Sequence, residues 1–399
     1  MFDANLNEPQ HRIDRLQLFG LIGLMLLGTA FVYSATRAGD SVLLYNQMWF
    51  RQIVWYVVGL GAAIVLCLVD YHTLARWSYV FYWVMILLLI LVLIPGIGSM
   101  RGNARRWFDL HVFMFQPSEF AKLAFILAQA NFLSRPVEEL RQVLNFWKAI
   151  GLMLLPFVLI MKEPDLGSAL VLLPMGLAMM FVAGTPGKYL ARLVGCVGIL
   201  GALFLVDVLF APDSWQIKLE NYQRQRLLVY FGRDFAAKNA TPAQRDEARR
   251  LQFEKSYQSR QALISVGSGG PLGQGWLKGK QTALKFMPAG AAHNDFIFSV
   301  IAEEEGFVGS VLVLTLYSVI LFTGIRTAGQ ARDRLGKLMA VGVVTLLFSH
   351  VFINIGMNIR IVPVTGIPLP LLSYGGSSVL VSLIAMGLLQ NVHIYRKGY

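Results

Sequence analysis

The sequence predicts an all-α polytopic membrane protein of about ten transmembrane helices, with one long extracytoplasmic loop between the seventh and eighth spans. Three observations lead there: composition, the spacing of apolar runs, and the distribution of Lys and Arg. Of the 399 residues, 56% are hydrophobic and only 15% charged, with a mean hydropathy of +0.56. That balance lies outside the range of soluble globular domains and argues against a nucleic-acid partner despite the formal net charge of +12. Apolar runs fall near 17–34, 52–69, 78–97, 118–133, 146–161, 166–184, 189–210, 296–323, 338–357 and 372–393. Each approaches the ~20 residues needed to cross the hydrocarbon core as a helix, 118–133 and 146–161 being the shortest. Ten spans leave both termini on one side. The short segments on that side carry about twice as many Lys and Arg as the short loops opposite, which places both termini in the cytoplasm. The chain reads as a single integral membrane domain, 1–399, with a polar cytoplasmic lead at 1–16 and the extracytoplasmic loop at 211–294.

Taken in order, the first run reads as a retained signal anchor and not a cleaved leader, because nine more spans follow. Cys67 and Cys196 fall inside separate runs and suggest packing. The second and third runs carry no chemistry. The segment 98–122 is different. Arg105 and Arg106 stand beside Trp107 on the extracytoplasmic side, a pattern that suits either an anionic, partly apolar ligand or an interfacial belt of snorkelling arginines. Gln116-Pro117-Ser118-Glu119 then starts a helix, with Pro at the first position and Glu119 at the positive helix end. Glu119 and Lys122 share a face three residues apart. They form a simple ion pair or, at that depth, line a cavity, and Lys122 is expected to serve substrate handling and not folding.

The fifth run ends in Glu163-Pro164-Asp165, where Pro164 reads as the first helical residue and Asp165 as the second, a capping arrangement. The loop 211–294 is too long to be structureless in a compact protein. One helix is expected over about 215–231, carrying Arg224 and Arg226, and another begins with Thr241 as cap, Pro242 first and Gln244 third, ending near Gly267. Its excess of Lys and Arg either attracts phosphates and lipid headgroups or forms a solvated basic surface. The glycine-rich piece Gly267–Gly275 lacks the frame and the Gly-Lys-Ser/Thr ending of a nucleotide loop, so a tight turn with close backbone approach is expected.

Asp295 stands where this polar loop becomes a membrane helix, and Glu303 and Glu304 follow inside the apolar run. A carboxylate held in a bilayer costs roughly 2.5–3.5 kcal/mol, which marks a functional site. Before the last run, Pro363, Pro368 and Pro370 forbid regular helix, and non-helical backbone at that depth must be buried in protein or line a wet cavity. Ser377 and Ser378 then open the final helix and offer hydroxyls and free N–H groups to an anion, a broken-helix packing joint being the alternative.

Together these stretches resemble the SEDS family, the RodA/FtsW/SpoVE polytopic proteins of bacterial wall synthesis. The resemblance rests on Ala104–Trp107, Gln116–Glu119 with Lys122, Glu163–Gly167, Tyr222–Leu227, Gly267–Gly275, Asn294–Phe298 with Glu303 and Glu304, and Pro363–Ser378, in that order along nearly the whole chain. It implies a peptidoglycan glycosyltransferase that polymerises lipid II at the outer face of the cytoplasmic membrane, with a class B penicillin-binding protein as partner. It implies further that Asp295 is the catalytic position, and the wording of 363–370 looks more like RodA, the elongation protein, than FtsW, the division protein. The chemistry agrees. Glycosyl transfer from an undecaprenyl diphosphate donor needs a base, for which Asp295 is the candidate. It needs positive charge on the departing diphosphate, for which Lys122, Arg105, Arg106, Arg224 and Arg226 are candidates; a divalent metal, Mg or Mn, could share that task. A lipid II flippase, or a scaffold for wall enzymes, would use the same spans without Asp295.

Overall fold

The computed structural model describes residues 13–37, 46–101, 104–110, 114–210, 221–233, 235, 242–284, 286 and 292–396. Helices run in the order α1 (Arg15–Thr36), α2 (Met48–Leu68), α3 (Tyr71–Arg76) and α4 (Ser78–Leu93). A small sheet follows, β1 (Ser99–Arg101), β2 (Ala104–Asp109) and β3 (Met114–Phe115), antiparallel throughout and ordered β1-β2-β3. Next come α5 (Pro117–Leu133), α6 (Val137–Leu140), α7 (Val143–Lys162), α8 (Leu166–Val182) and α9 (Gly187–Phe210). The long loop contributes α10 (Asn221–Phe231), α11 (Pro242–Ser268) and α12 (Lys280–Ala283). The chain closes with α13 (Ile297–Gln330), α14 (Arg334–Asn358) and α15 (Gly376–Ile394).

All ten apolar runs are occupied by helix. Among the described residues seven helices are long and apolar enough to cross a membrane, and α4 and α8 are shorter apolar ones; the protein is a multi-pass membrane protein. The tenth run is α5, whose apolar content is interrupted by Glu119 and Lys122. The sheet is an addition to the all-α expectation, built from the arginine-rich segment. Local signals behave as their chemistry requires: Pro117 opens α5, Pro242 opens α11, and the Asp14 and Asp333 carboxylates cap α1 and α14. Thr241 lies outside the described residues. The core forms where α15 packs on α2, α13 on α1 and α14, and α5 on α4, α8 and α14. By contrast, α9 buries only Leu190 and Val208, so most of its apolar surface is left to lipid.

Two breaks in helical backbone shape the bundle. Within α13, Gly306 adopts φ 65° and ψ −154°, a conformation outside any helix. The break frees carbonyls that the helix would otherwise bond, and the glycine-rich loop takes them up. Gln274 N donates to Glu303 O at 3.0 Å and Gly275 N to Glu304 O at 2.8 Å, while Phe307 N donates back to Gly270 O at 2.8 Å. The expected close approach of backbone is thus met, and its partner is a membrane helix. At Gly273 (φ 79°) a Cβ would lie 2.0 Å from Glu304 O.

The second break is 359–375. Its carbonyls are bonded from inside the bundle: Gln52 Nε2 donates to Ser373 O at 3.1 Å, Asn354 Nδ2 to Ile367 O at 2.7 Å, and the Tyr317 hydroxyl to Pro370 O. Ser373 donates to Asn294 O at 2.6 Å and accepts from Leu369 N at 2.7 Å. The segment is buried in protein, one of the two conditions for such backbone at membrane depth.

At the bundle centre, Lys122 is 0% and Glu119 3% exposed. Lys122 Nζ lies 2.6 Å from Glu119 Oε1 and 3.0 Å from His350 Nε2. An ammonium can only donate, so His350 accepts at Nε2 and bonds the backbone of Pro368 with its other face. The cation expected to face a cavity is therefore closed off by its partners, and the expectation that it plays no part in folding is corrected: these three side chains join α5, α14 and the second break.

Two outcomes follow for stability. Gly273→Ala forces a left-handed, sterically blocked site and should cost at least about 1–3 kcal/mol, whereas Gly61→Ala, where a Cβ meets nothing within 4 Å, should not lower the thermal midpoint of the purified protein. Lys122→Ala leaves Glu119 buried and unpaired, a loss of about 3–5 kcal/mol; Lys122→Met with Glu119→Gln should recover most of it in the same measurement.

Candidate functional site

The site begins with how the backbone at Asp295 is held. Asp295 precedes α13, and its carbonyl accepts from Asn354 Nδ2 at 2.9 Å and Asn358 Nδ2 at 3.2 Å. Asn358 is itself fixed by Ser299, whose hydroxyl donates to Asn358 Oδ1 at 2.5 Å. Asp295 as a residue is half-buried, and its carboxylate lies against Gly366, where a Cβ would stand 3.4 Å from Oδ2. Gly366 has φ 79°, so this close approach uses a residue that suffers no penalty in that conformation.

Three elements bring charge to this carboxylate. From β2, Arg106 Nε donates to Glu163 O at 2.9 Å and its Nη2 to Pro164 O, holding the turn between α7 and α8. Asp165 caps α8 through Ser168 N at 3.2 Å and accepts from Gln116 Nε2 at 3.2 Å. From α10, Arg226 Nη1 donates to Thr365 O at 3.2 Å, next to Gly366. Burial raises the Asp295 pKa to about 6; Arg226 lowers it, Asp165 raises it and Arg106 lowers it in turn. Glu163, fully buried, is pushed to about 9 by burial and then by Asp165, against Arg106, so it is a neutral acid at pH 7. The group therefore balances Arg106 and Arg226 against Asp165 and Asp295.

The other residues anticipated from sequence are placed apart from this group. Arg105 and Trp107 alternate with Arg106 along β2 and so point to the opposite face; Arg105 pairs with Met100 and Trp107 with Ser99. Arg224 is two residues from Arg226 on α10, and such neighbours do not share a helix face. Glu303 lies about 12 Å further along the helix than Asp295. Its carboxylate accepts from Gln281 N at 2.7 Å and Thr282 Oγ1 at 3.2 Å, and Glu304 accepts from the Ser34 hydroxyl. Neither glutamate is among the groups that shift Asp295. Ser377 donates to Met114 O at 2.9 Å and accepts from Gln116 N at 3.1 Å, an anchor between β3 and α15, and Ser378 is buried beside it.

Sequence reading passed over Asn354 and Asn358, although two asparagines four apart inside an apolar run were the available signal. It also placed Asp165 two positions too deep: Asp165 is the cap and Leu166 the first helical residue. Asp165 both caps and faces the site, so the capping reading was incomplete. For the divalent metal, no group of three or more His, Cys, Asp or Glu side chains among the described residues is arranged to hold an ion. Glu163, whose two buried carboxylate oxygens accept no hydrogen bond from the described residues, stands beside Asp165 in this group, and a divalent ion there would favour its ionised form. Beside the group, a cavity of about 290 Å³ opens between α10, α11 and residues 357–364, lined by Arg226, Tyr230, Glu254, Gln258 and Arg360 among others. A carboxylate of raised pKa, two cations and an adjacent polar cavity can accept a proton and hold an anion.

Comparison with known proteins places this geometry in a family. Peptidoglycan glycosyltransferase MrdB of Escherichia coli K12 is 34% identical over 385 residues, covering 96% of this chain and 94% of that protein. Stage V sporulation protein E of Bacillus subtilis 168 is 36% identical over 387 residues, covering 96% and 98%. A chain from the structure of a peptidoglycan synthase complex that coordinates polymerization and crosslinking superposes with a TM-score of 0.76 at 30% identity, over 96% of this chain and 98% of that one. The profile of the FtsW/RodA/SpoVE cell cycle proteins matches residues 14–398, and the chain belongs to that family.

Proposed function

We infer that the chain is a peptidoglycan glycosyltransferase that polymerises lipid II into glycan strands and releases undecaprenyl diphosphate. The observation that carries the residue assignment is the Asp295 carboxylate, raised to about 6 and set between Arg106 and Arg226. In this reading Asp295 takes the proton of the acceptor hydroxyl as its oxygen bonds the anomeric carbon of the donor sugar. The bond from that carbon to the diphosphate oxygen breaks, and the leaving charge is met by Arg106 and Arg226. Lipid tails lie against the apolar faces of the spans. The wording of 363–370 supports a role in elongation. A class B penicillin-binding protein is the proposed partner, in line with the synthase complex described above.

The proposed setting is the bacterial cytoplasmic membrane, with both termini in the cytoplasm and Asp295 at the outer face, supported by the Lys/Arg asymmetry. A cysteine at Lys278 should react with an impermeant thiol reagent in intact spheroplasts and one at Arg332 should not; the reverse labelling overturns the orientation.

Purified protein with labelled lipid II tests the chemistry. Wild type should make polymer, more of it with a co-purified class B transpeptidase, and Asp295→Asn should lower the rate roughly 10²–10⁴-fold while lipid II still binds. Headgroup translocation without polymer would indicate a flippase, and neither activity a scaffold. Because only the ionised base works, the rate should fall about tenfold per unit below pH 6 and level off above it. Arg226→Gln removes a charge that lowers the Asp295 pKa, so its acidic limb should move to higher pH. A full-rate Asp295→Asn enzyme removes Asp295 from the mechanism.

A further inference from the structure

At the end of the bundle opposite Asp295, α4, α5 and α7 leave a groove of about 410 Å³. The two ends are connected by α5, whose 17 residues rise ~25 Å, most of a hydrocarbon core. Tyr82, Trp83, Phe132, Leu152 and Leu155 form its walls. The Tyr82 hydroxyl donates to Leu152 O at 2.9 Å, so Tyr82 offers its ring, while the Tyr79 hydroxyl bonds Arg135 at the rim. Gly151 keeps the trough open, since a Cβ there would meet nothing within 4 Å.

Two cations stand on this apolar trough, Arg135 beyond the end of α5 and Lys148 in the second turn of α7. Both are exposed, and the Arg135 guanidinium is held over the Phe132 ring, 4.7 Å from its centroid. No carboxylate is among the described lining residues. Trp83 and Trp147, 57% and 58% exposed, mark the same level as an interfacial aromatic belt would.

We propose that this groove is a binding site for an anionic diacyl phospholipid, with its phosphate between Arg135 and Lys148 and one acyl chain lying along the aromatic and leucine walls. The pairing of a mainly apolar trough with two cations that no carboxylate among the described lining residues neutralises selects that chemistry. A soluble anion gains nothing from the walls, and a zwitterionic lipid brings its own ammonium to the cations. The site is separate from Asp295 and does not depend on the reaction assigned to it.

The test uses full-length protein in nanodiscs of equal phosphatidylglycerol and phosphatidylcholine, extracted into detergent and weighed by native mass spectrometry. Wild type should retain phosphatidylglycerol in preference to phosphatidylcholine. Arg135→Ala with Lys148→Ala should reduce that preference at least about tenfold. Gly151→Leu, which keeps both charges and fills the trough, should reduce it as well. Arg76→Ala with Arg141→Ala removes two cations with no place in the groove and should leave it unchanged. No preference in wild type, an undiminished preference in both groove variants, or an equal loss in the Arg76/Arg141 variant (a diffuse surface charge in place of a site) each overturns the proposal.

Discussion

Inside a bilayer every backbone N–H and C=O must find a partner within the protein, because no water is there to take its place. This constraint explains more of the structure than any side chain does. The chain interrupts its helices twice, at Gly306 and across 359–375, and each interruption is met by dedicated donors. At the first, loop amides from 274 and 275 bond the carbonyls of Glu303 and Glu304. At the second, Gln52, Asn354 and Tyr317 reach in from three separate helices. The second brings non-helical backbone against the Asp295 carboxylate through Gly366, while the first lies further along the same helix and docks the glycine-rich loop on it.

Charge obeys a parallel rule. Lys122 is tolerated at the bundle centre because Glu119 and His350 surround it, and the trio ties α5 to the second break. Nearer the surface, Arg106 bonds two carbonyls of one turn while its field reaches Asp295. A single guanidinium thus builds the turn and tunes the carboxylate. The two roles need different properties, the fixed fork of donors for one and the permanent charge for the other.

The fold was largely legible in the sequence because hydropathy and proline placement act locally. The ten apolar runs became helices, the glycine-rich loop became a close backbone contact, and the proline-rich stretch stayed non-helical. Of the residues anticipated for the site, the structure brings Arg106 and Arg226 to Asp295. Arg105 and Arg224 carry the same charge beside them, and only strand alternation and helix phase separate those that face Asp295 from those that do not. Glu303 and Glu304 stand apart from Asp295 for a related reason. A carboxylate in an apolar run signals an obligation to be satisfied, and here Gln281 and Thr282 bond Glu303 and Ser34 bonds Glu304, which leaves Glu304 Oε2 buried without a hydrogen-bond partner among the described residues. Long-range partners such as Asn354 and Ile367 leave no mark on local pattern.

The tether from Ser373 to the Asn294 carbonyl also fixes a timetable. Residue 295 leaves the ribosome ahead of residue 373 by some eighty residues, roughly 4–16 s of synthesis at 5–20 residues per second. During that interval α13 can already be inserted while Asn354, Gly366 and Ser373 have yet to arrive. The carboxylate therefore spends its first seconds in the membrane unpositioned, and this implies that a nascent chain acquires its working geometry only as its last helix settles.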